Sequence, residues 1–151
     1  MKANAVGINH VALEVGEIEE AIKFYSDFLN FEVHEKNEMQ ASIYFGDQFI
    51  NLIKNDNRQA DQKRHVGIAV DNKELVRQTL EHMDVKFLSG SFLDFLDPWG
   101  NRIEITTYSK IQYTKADHVL RGMGLGHLKK TEEALAELNA KGLGPTQCEN
   151  N

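Results

Sequence analysis

Only one cysteine, Cys148, occurs in the 151 residues, so no disulfide can close within the chain. Nowhere do 18 apolar residues run together, which leaves no candidate for a membrane-spanning helix. The opening MKANAVGINH lacks the apolar stretch of a signal peptide. No block of Lys and Arg stands out, and the formal net charge is −6, which speaks against nucleic acid and anionic membrane as partners. These absences together lead to the expectation of a cytoplasmic protein. What is present is ordinary for a globular chain: 41% hydrophobic and 26% charged residues, enough for one core or for two small repeats sharing one.

The pattern along the chain favours the second option. INHVALEV (8–15) alternates, with Val11, Leu13 and Val15 on one face and His10, Ala12 and Glu14 on the other, and reads as a strand. EIEEAIKFYSDFLN (17–30) carries the apolar stripe of an amphipathic helix. FEVHE (31–35), ASIYF (41–45) and FINLI (49–53) read as three strands, with Gly46 and Asp47 turning between the last two. Ten polar residues, NDNRQADQKR (55–64), have no periodicity and read as a linker.

The order then repeats. HVGIAV (65–70) alternates like the first strand, KELVRQTLEHM (73–83) has a helical stripe, and VKFL (85–88), SFLDFL (91–96) and NRIEITTY (101–108) read as strands. The expected architecture is α+β: a βαβββ module in residues 1–54, the linker 55–64, a second βαβββ module in 65–108 and a helical extension in 109–151. His65 precedes Glu104 by 39 residues, and His10 precedes Asn51 by 41, which aligns the two copies. In the extension, TEEALAELNAK (131–141) reads as a helix with Thr131 as N-cap and Gly142 as its stop. RGMGLGH (121–127) lacks the G-x-G-x-x-G spacing and reads as a joint.

Three side chains stand out by the face they occupy. His10 shares its strand face with Ala12, and His65 shares its own with Gly67 and Ala69. The bulky residues lie on the opposite faces, where the helices are expected. DPWGNRIEI (97–105) forms a turn and a strand in which Ile103 and Ile105 face the packed side and Glu104 the open one. Each residue alone is ordinary. Jointly, two imidazoles in the same slot of two repeats and one carboxylate form a common facial set for a divalent metal, with positions left open for substrate.

NHVALEV and HVGIAV, each followed by an amphipathic helix, together with DPWGNRIEI, resemble the vicinal oxygen chelate superfamily over residues 6 to 108. That group includes glyoxalases, bleomycin-resistance proteins, fosfomycin-resistance thiol transferases and extradiol dioxygenases. The resemblance implies two βαβββ modules in an open, U-shaped barrel around a metal. It implies His10, His65 and Glu104 as ligands, and Fe²⁺, Mn²⁺, Ni²⁺, Co²⁺ or Zn²⁺ as the ion. The implied activity is metal-dependent chemistry of the glyoxalase (lyase or isomerase), thiol transferase or dioxygenase type on a small molecule that chelates through adjacent oxygens. The alternative is a bleomycin-resistance type of protein that binds a small molecule without chemistry. Asn51 departs from four-ligand members, which place an acidic ligand in that slot. A homodimer is expected, because the edges of an open barrel need cover, and His10 of one chain would then join His65 and Glu104 of the other.

Around this set, Arg102 is a candidate for a substrate carboxylate or phosphate, and Asn51, Trp99 and Tyr108 are further substrate-binding candidates. Tyr44 and Phe92 suit either a pocket or a core. His34, His82 and His118 show no partner spacing, His127 reaches a site only if the extension folds back, and Cys148 reads as a tail residue.

Overall fold

The computed structural model describes residues 2–145; Cys148 lies outside them. Alternation builds β1 (His10–Val15), with Leu13 and Val15 buried and His10, Ala12 and Glu14 exposed. After Gly16 the period changes, and α1 (Ile18–Ser26) buries Ile18, Ala21 and Tyr25. β2 (Glu32–His34), β3 (Gln40–Phe45) and β4 (Gln48–Lys54) complete the first unit. The second runs through β5 (Val66–Val70), α2 (Lys73–His82), β6 (Leu93–Leu96) and β7 (Arg102–Thr107). A short 3₁₀ turn at Tyr108–Lys110, α3 (Asp117–Gly122) and α4 (Glu132–Ala140) follow. No helix among the described residues is long and apolar enough to cross a membrane.

The strands form two open sheets, β1-β4-β3-β2 and β5-β7-β6, each with its first strand parallel to its last. Helical crossovers make that parallel pairing possible. The registers match as well. Ala12 pairs with Asn51 and Gly67 with Glu104, each two residues beyond its histidine. The two copies are therefore equivalent in space as well as in sequence.

The structure departs from the expected strands in the second copy. VKFL makes one isolated bridge, Phe87 to Phe95, and no strand. Asp84 turns with a φ of 56°, and the Val85 N–H then donates to the Leu80 carbonyl at the end of α2. The Leu88 N–H reaches the Asp94 carbonyl. The helix exit thus takes the backbone at the start of the segment, and the Leu88 bond belongs to the single bridge, beyond which the pairing does not extend. The first helix also ends at Ser26, short of Phe28 and Leu29 of its apolar stripe, and the N–H groups of Asp27, Phe28 and Leu29 satisfy the Lys23 and Tyr25 carbonyls at its end.

One core joins the two units. Leu13, Ile43 and Leu52 of the first pack in the same cluster as Leu80, Phe95 and Ile105 of the second. Helix α1 carries the junction: Phe24 and Phe28 meet Phe95 with ring centroids 6.5 and 5.8 Å apart, and Phe24 meets Trp99 edge-on at 6.1 Å. At the centre lies Asp97, which is buried. Its carboxylate accepts the Tyr25 hydroxyl at 2.7 Å, the Trp99 and Asn101 N–H groups at 2.9 and 2.8 Å, and the Asn101 amide at 2.7 Å. The same Asn101 amide donates to the Glu14 carbonyl of β1 at 2.9 Å. Burial raises the Asp97 pKa above the usual carboxylate value, against the lowering effect of these donors. Burial, then the nearby carboxylate, pushes the Tyr25 phenol well above its ordinary range. Gly100 completes the turn with a φ of 90°, and a Cβ there would lie 2.7 Å from the Ala60 backbone.

The residues expected to form a plain linker pack along the second sheet. The Asp61 N–H donates to the Gly100 carbonyl at 2.8 Å, and its carboxylate accepts the Arg102 N–H at 3.2 Å. The C-terminal segment is fastened too. The Lys130 ammonium donates to the carbonyls of Tyr108, Ile111 and Tyr113 and sits 3.6 Å from the centre of the Tyr108 ring. Thr131 caps α4 by accepting the Ala134 N–H, and Gly142, with a φ of 68°, ends it.

Asp97→Ala leaves the Tyr25 hydroxyl and two backbone donors without their acceptor. It should lower unfolding free energy by about 3 kcal/mol in urea titrations, whereas Tyr25→Phe should cost about 1 kcal/mol. Lys130→Met removes the clamp on the extension. Amide exchange in α3 and α4 should then quicken while exchange in β3 and β4 keeps its wild-type rate.

Candidate metal centre

Burial separates the faces of both sheets. In β7, Ile103 and Ile105 are fully buried and Glu104 between them is not; in β5, Ile68 and Val70 are buried while Gly67 and Ala69 are exposed. The packed faces share the core, so the small-residue faces are left open, and it is on these that the candidate residues stand.

His65 sits immediately before β5, its ring is held at Nδ1, and its Nε2 faces Glu104. Nδ1 lies 3.0 Å from the Lys63 carbonyl oxygen, and Nε2 lies 3.6 Å from a Glu104 carboxylate oxygen. A carbonyl can only accept, so the neutral ring carries its proton on Nδ1 and presents the Nε2 lone pair beside Glu104. That tautomer, oriented by a backbone carbonyl, is the one a metal-ligating histidine adopts. The His65 and Glu104 side chains are 45% and 25% exposed, reachable by solvent and by a dissolved ion.

Across the strand pair, Asp94 stands opposite Glu104, so two carboxylates share one patch of sheet. Arg102 resolves the repulsion. Its Nε donates to Asp94 at 2.8 Å, a second guanidinium nitrogen contacts the same oxygen, and Nη1 donates to the Gln62 carbonyl at 2.8 Å. The Asp94 side chain is 3% exposed. Arg102, read from the sequence as a cation for substrate, is thus engaged within the fold, and Glu104 keeps its charge available to the His65 side.

His10 has different surroundings. Its ring stacks on Phe49 at 5.0 Å and 16°, and Phe49 stacks on Tyr44 at 4.8 Å and 16°. This row crosses β1, β4 and β3 on the open face of the first sheet. One row along, Asn51 accepts the Ser42 hydroxyl at 2.8 Å, so its carbonyl oxygen already has a donor. Among the described residues no three His, Cys, Asp or Glu side chains converge to hold one metal ion. Within one chain, therefore, the structure brings His65 and Glu104 together, and His10 stands in its own row with Phe49 and Tyr44. The open faces of the two modules border common hollows: His10 and Phe49 line one cavity with Gly67 and Ala69, and Ala12 lines another with His65 and Gly67.

Trp99 lines a hollow with His65, Arg58 and Arg64, and its indole nitrogen lies so near Gly16 that a Cβ there would be 2.8 Å away. Tyr108 lines the cavity beside His10 and is buried. Sequence reasoning passed over Arg58, whose Nη1 donates to the Asn55 carbonyl at 3.0 Å and whose buried Nε has no partner among the described residues. Nothing in an aperiodic polar segment orients one arginine over another. His34 pairs with Glu32, His82 bonds the Gln78 carbonyl, and His118, His127 and Phe92 are exposed.

The profile of the Glyoxalase/Bleomycin resistance protein/Dioxygenase superfamily matches residues 7–105, well over half of the chain, and the chain belongs to that superfamily. Solved structures share its fold. An integron cassette protein from the mobile metagenome of V. cholerae superposes with a TM-score of 0.57 at 22% identity, over 72% of this chain and 100% of that one. A possible glyoxalase from Bacillus cereus gives 0.59 at 20% identity, over 68% and 99%. The genomically encoded fosfomycin resistance protein FosX from Listeria monocytogenes, complexed with Mn(II) and sulfate, gives 0.60 at 14% identity, over 69% and 93%. At these identities the likeness is one of fold.

The His65 ring has a direct readout. Long-range ¹H–¹⁵N spectra of the metal-free protein at pH 8 should show the Nδ1–H tautomer, with Nε2 unprotonated; a dominant Nε2–H form would contradict the geometry at Lys63.

Proposed function

We propose that this chain is a metal-dependent enzyme whose site forms between two copies, with His65 and Glu104 supplied by one and His10 by the other. The observation that carries the reading is the His65–Glu104 pair. The Nε2 lone pair and the carboxylate stand 3.6 Å apart on an open face, with the imidazole tautomer locked from behind. A neutral nitrogen and a hard oxygen anion suit Fe²⁺, Mn²⁺, Ni²⁺, Co²⁺ or Zn²⁺. The Mn(II) in the Listeria protein of the same fold supports this choice of ion class.

Several features support assembly from two copies. β1 and β5, which carry or follow the two histidines, are both edge strands with unpaired backbone on one side. Val6 and Ile8, just before β1, are 101% and 75% exposed and would gain cover from a second chain. Ala12, Gly67 and Ala69 leave room between facing sheets for a small molecule.

A bound divalent ion supplies a Lewis acid to two adjacent oxygens of a small substrate. The chain's own residues do the rest. The Lys63 carbonyl holds His65 in its donor orientation. Glu104 would help hold the ion with its carboxylate and would be the base placed to accept a proton from substrate. Asn51 occupies the equivalent slot of the first copy and cannot act as a base, and Asp94 is held by Arg102. Proton movement therefore falls to Glu104 alone. A single base with open positions fits addition, ring cleavage or one-base isomerisation better than a two-base proton shuttle.

Protein purified without chelator should hold close to one divalent ion per chain. His10→Ala and His65→Ala should each lose it. Co-expressed as a mixed dimer, the two variants should regain one ion per dimer, because one of its two sites then has all three ligands intact. No recovery overturns the shared site. A wild-type chain that takes up no metal overturns the enzyme reading in favour of a small-molecule binder of the bleomycin-resistance type.

A further inference from the structure

The residues beyond β7 wall one side of a cavity whose other sides are lined by β1, β4 and β5. The cavity measures about 240 Å³. Leu120, Leu125 and Leu128 of the extension line it together with Phe49 and Ile50 of β4, and His10 borders it. Two lysines keep its walls in place. Lys130 is held by three carbonyls and the Tyr108 ring, and Lys115 donates to the Phe45 carbonyl at 3.1 Å and pairs with Asp47. Met123 closes tightly over the β3–β4 turn, where a Cβ on Gly46 would lie 2.5 Å from its sulfur.

Size and chemistry both indicate what fits. A dry cavity of about 150 Å³ is enough to bind benzene, so this one has room for an aromatic ring and a few more atoms. The lining is mostly apolar, and the ammonium of Lys115 is already engaged, which disfavours a charged guest. One polar handle remains. The Tyr108 hydroxyl accepts the Lys115 N–H at 3.1 Å, and its own proton has no acceptor among the described residues. A lining tyrosine with a proton to give selects a guest with an acceptor oxygen.

The geometry points to a binding pocket, built by the C-terminal extension, for the uncharged apolar end of a small molecule. That end is an aromatic ring or short branched chain carrying an acceptor oxygen that Tyr108 binds. The remainder of the molecule extends toward His10. That it meets a metal there rests on the function proposed above; that the apolar end fills the cavity does not. The substrate class that follows is an aryl or branched-alkyl compound with its chelating oxygens at the opposite end, as distinct from a small, fully polar acid or sugar.

The test uses the full chain stripped of metal, so its outcome does not depend on any metal site. Fluorobenzene and 4-fluoroacetophenone are titrated and followed by ¹⁹F NMR. Both should show saturable shifts, the ketone binding several-fold more tightly. Saturation should move the methyl signal of Met123. Tyr108→Phe should erase the advantage of the ketone while keeping fluorobenzene binding, and Leu125→Trp, which fills the cavity, should abolish both. Absence of saturable binding to the wild type overturns the pocket, as does saturation that leaves the Met123 methyl unmoved. Undiminished binding by a folded Leu125→Trp variant does so too. A ketone advantage that survives in Tyr108→Phe overturns the role of the hydroxyl. The Met123 signal decides the location even where Leu125→Trp fails to fold.

Discussion

The buried Asp97 carboxylate is the point on which the arrangement of the molecule turns. It gathers the Tyr25 hydroxyl from α1, two N–H groups of its own turn and the Asn101 amide, which in turn reaches the Glu14 carbonyl of β1. A carboxylate buried this far is tolerated only when several donors meet it, and here the donors come from both modules. The turn is thus specified and docked by one set of bonds. Because β7 starts within it, the same bonds decide which residue of β7 lies opposite Gly67, and so set Glu104 beside His65.

That docking has a consequence for the site. Helix α1 of the first module packs on Phe95 of the second, and the two packed faces share one core. The open-face residues of both modules then line common hollows, His10 with Gly67 and Ala69 in one and Ala12 with His65 in another. Among the described residues no third ligand meets His65 and Glu104 within one chain, so the centre proposed above takes His10 from a second copy, and β1 and β5 are edge strands with backbone free to pair. The local electrostatics are consistent with this division. Arg102 neutralises Asp94, which would otherwise compete with Glu104 as a second anion on the same patch.

The extension adds a second layer to the same open end. Lys115 and Lys130 fasten it by donating to backbone carbonyls, Lys115 also pairing with Asp47, so the segment stays placed although only Leu120, Ala134 and Leu138 of its two helices are deeply buried. It lines, beside His10, the cavity that β1, β4 and β5 line from their own side. A single fold can then serve different substrates through what is appended to it.

Alternation and helical stripes are local properties, and they were enough to read both modules, the repeat and the faces of His10, His65 and Glu104 from the sequence. The same reading failed for VKFL, where the helix exit at Asp84 and Val85 takes the backbone groups a strand would need. It could not see that Arg102 would turn to Asp94, because two residues on neighbouring strands meet only once the register is set. It passed over Arg58, Asp61 and Lys130, whose partners are backbone carbonyls or donors remote in the chain. By itself the sequence determined the elements, their order and the face each candidate ligand occupies, since these follow from periods of 2 and 3.6 residues. Only the tertiary structure decided which of those faces meet. His65 and Glu104 came together through strand register, and Arg102 turned to Asp94 on the neighbouring strand, contacts between side chains distant in the chain that no local period encodes.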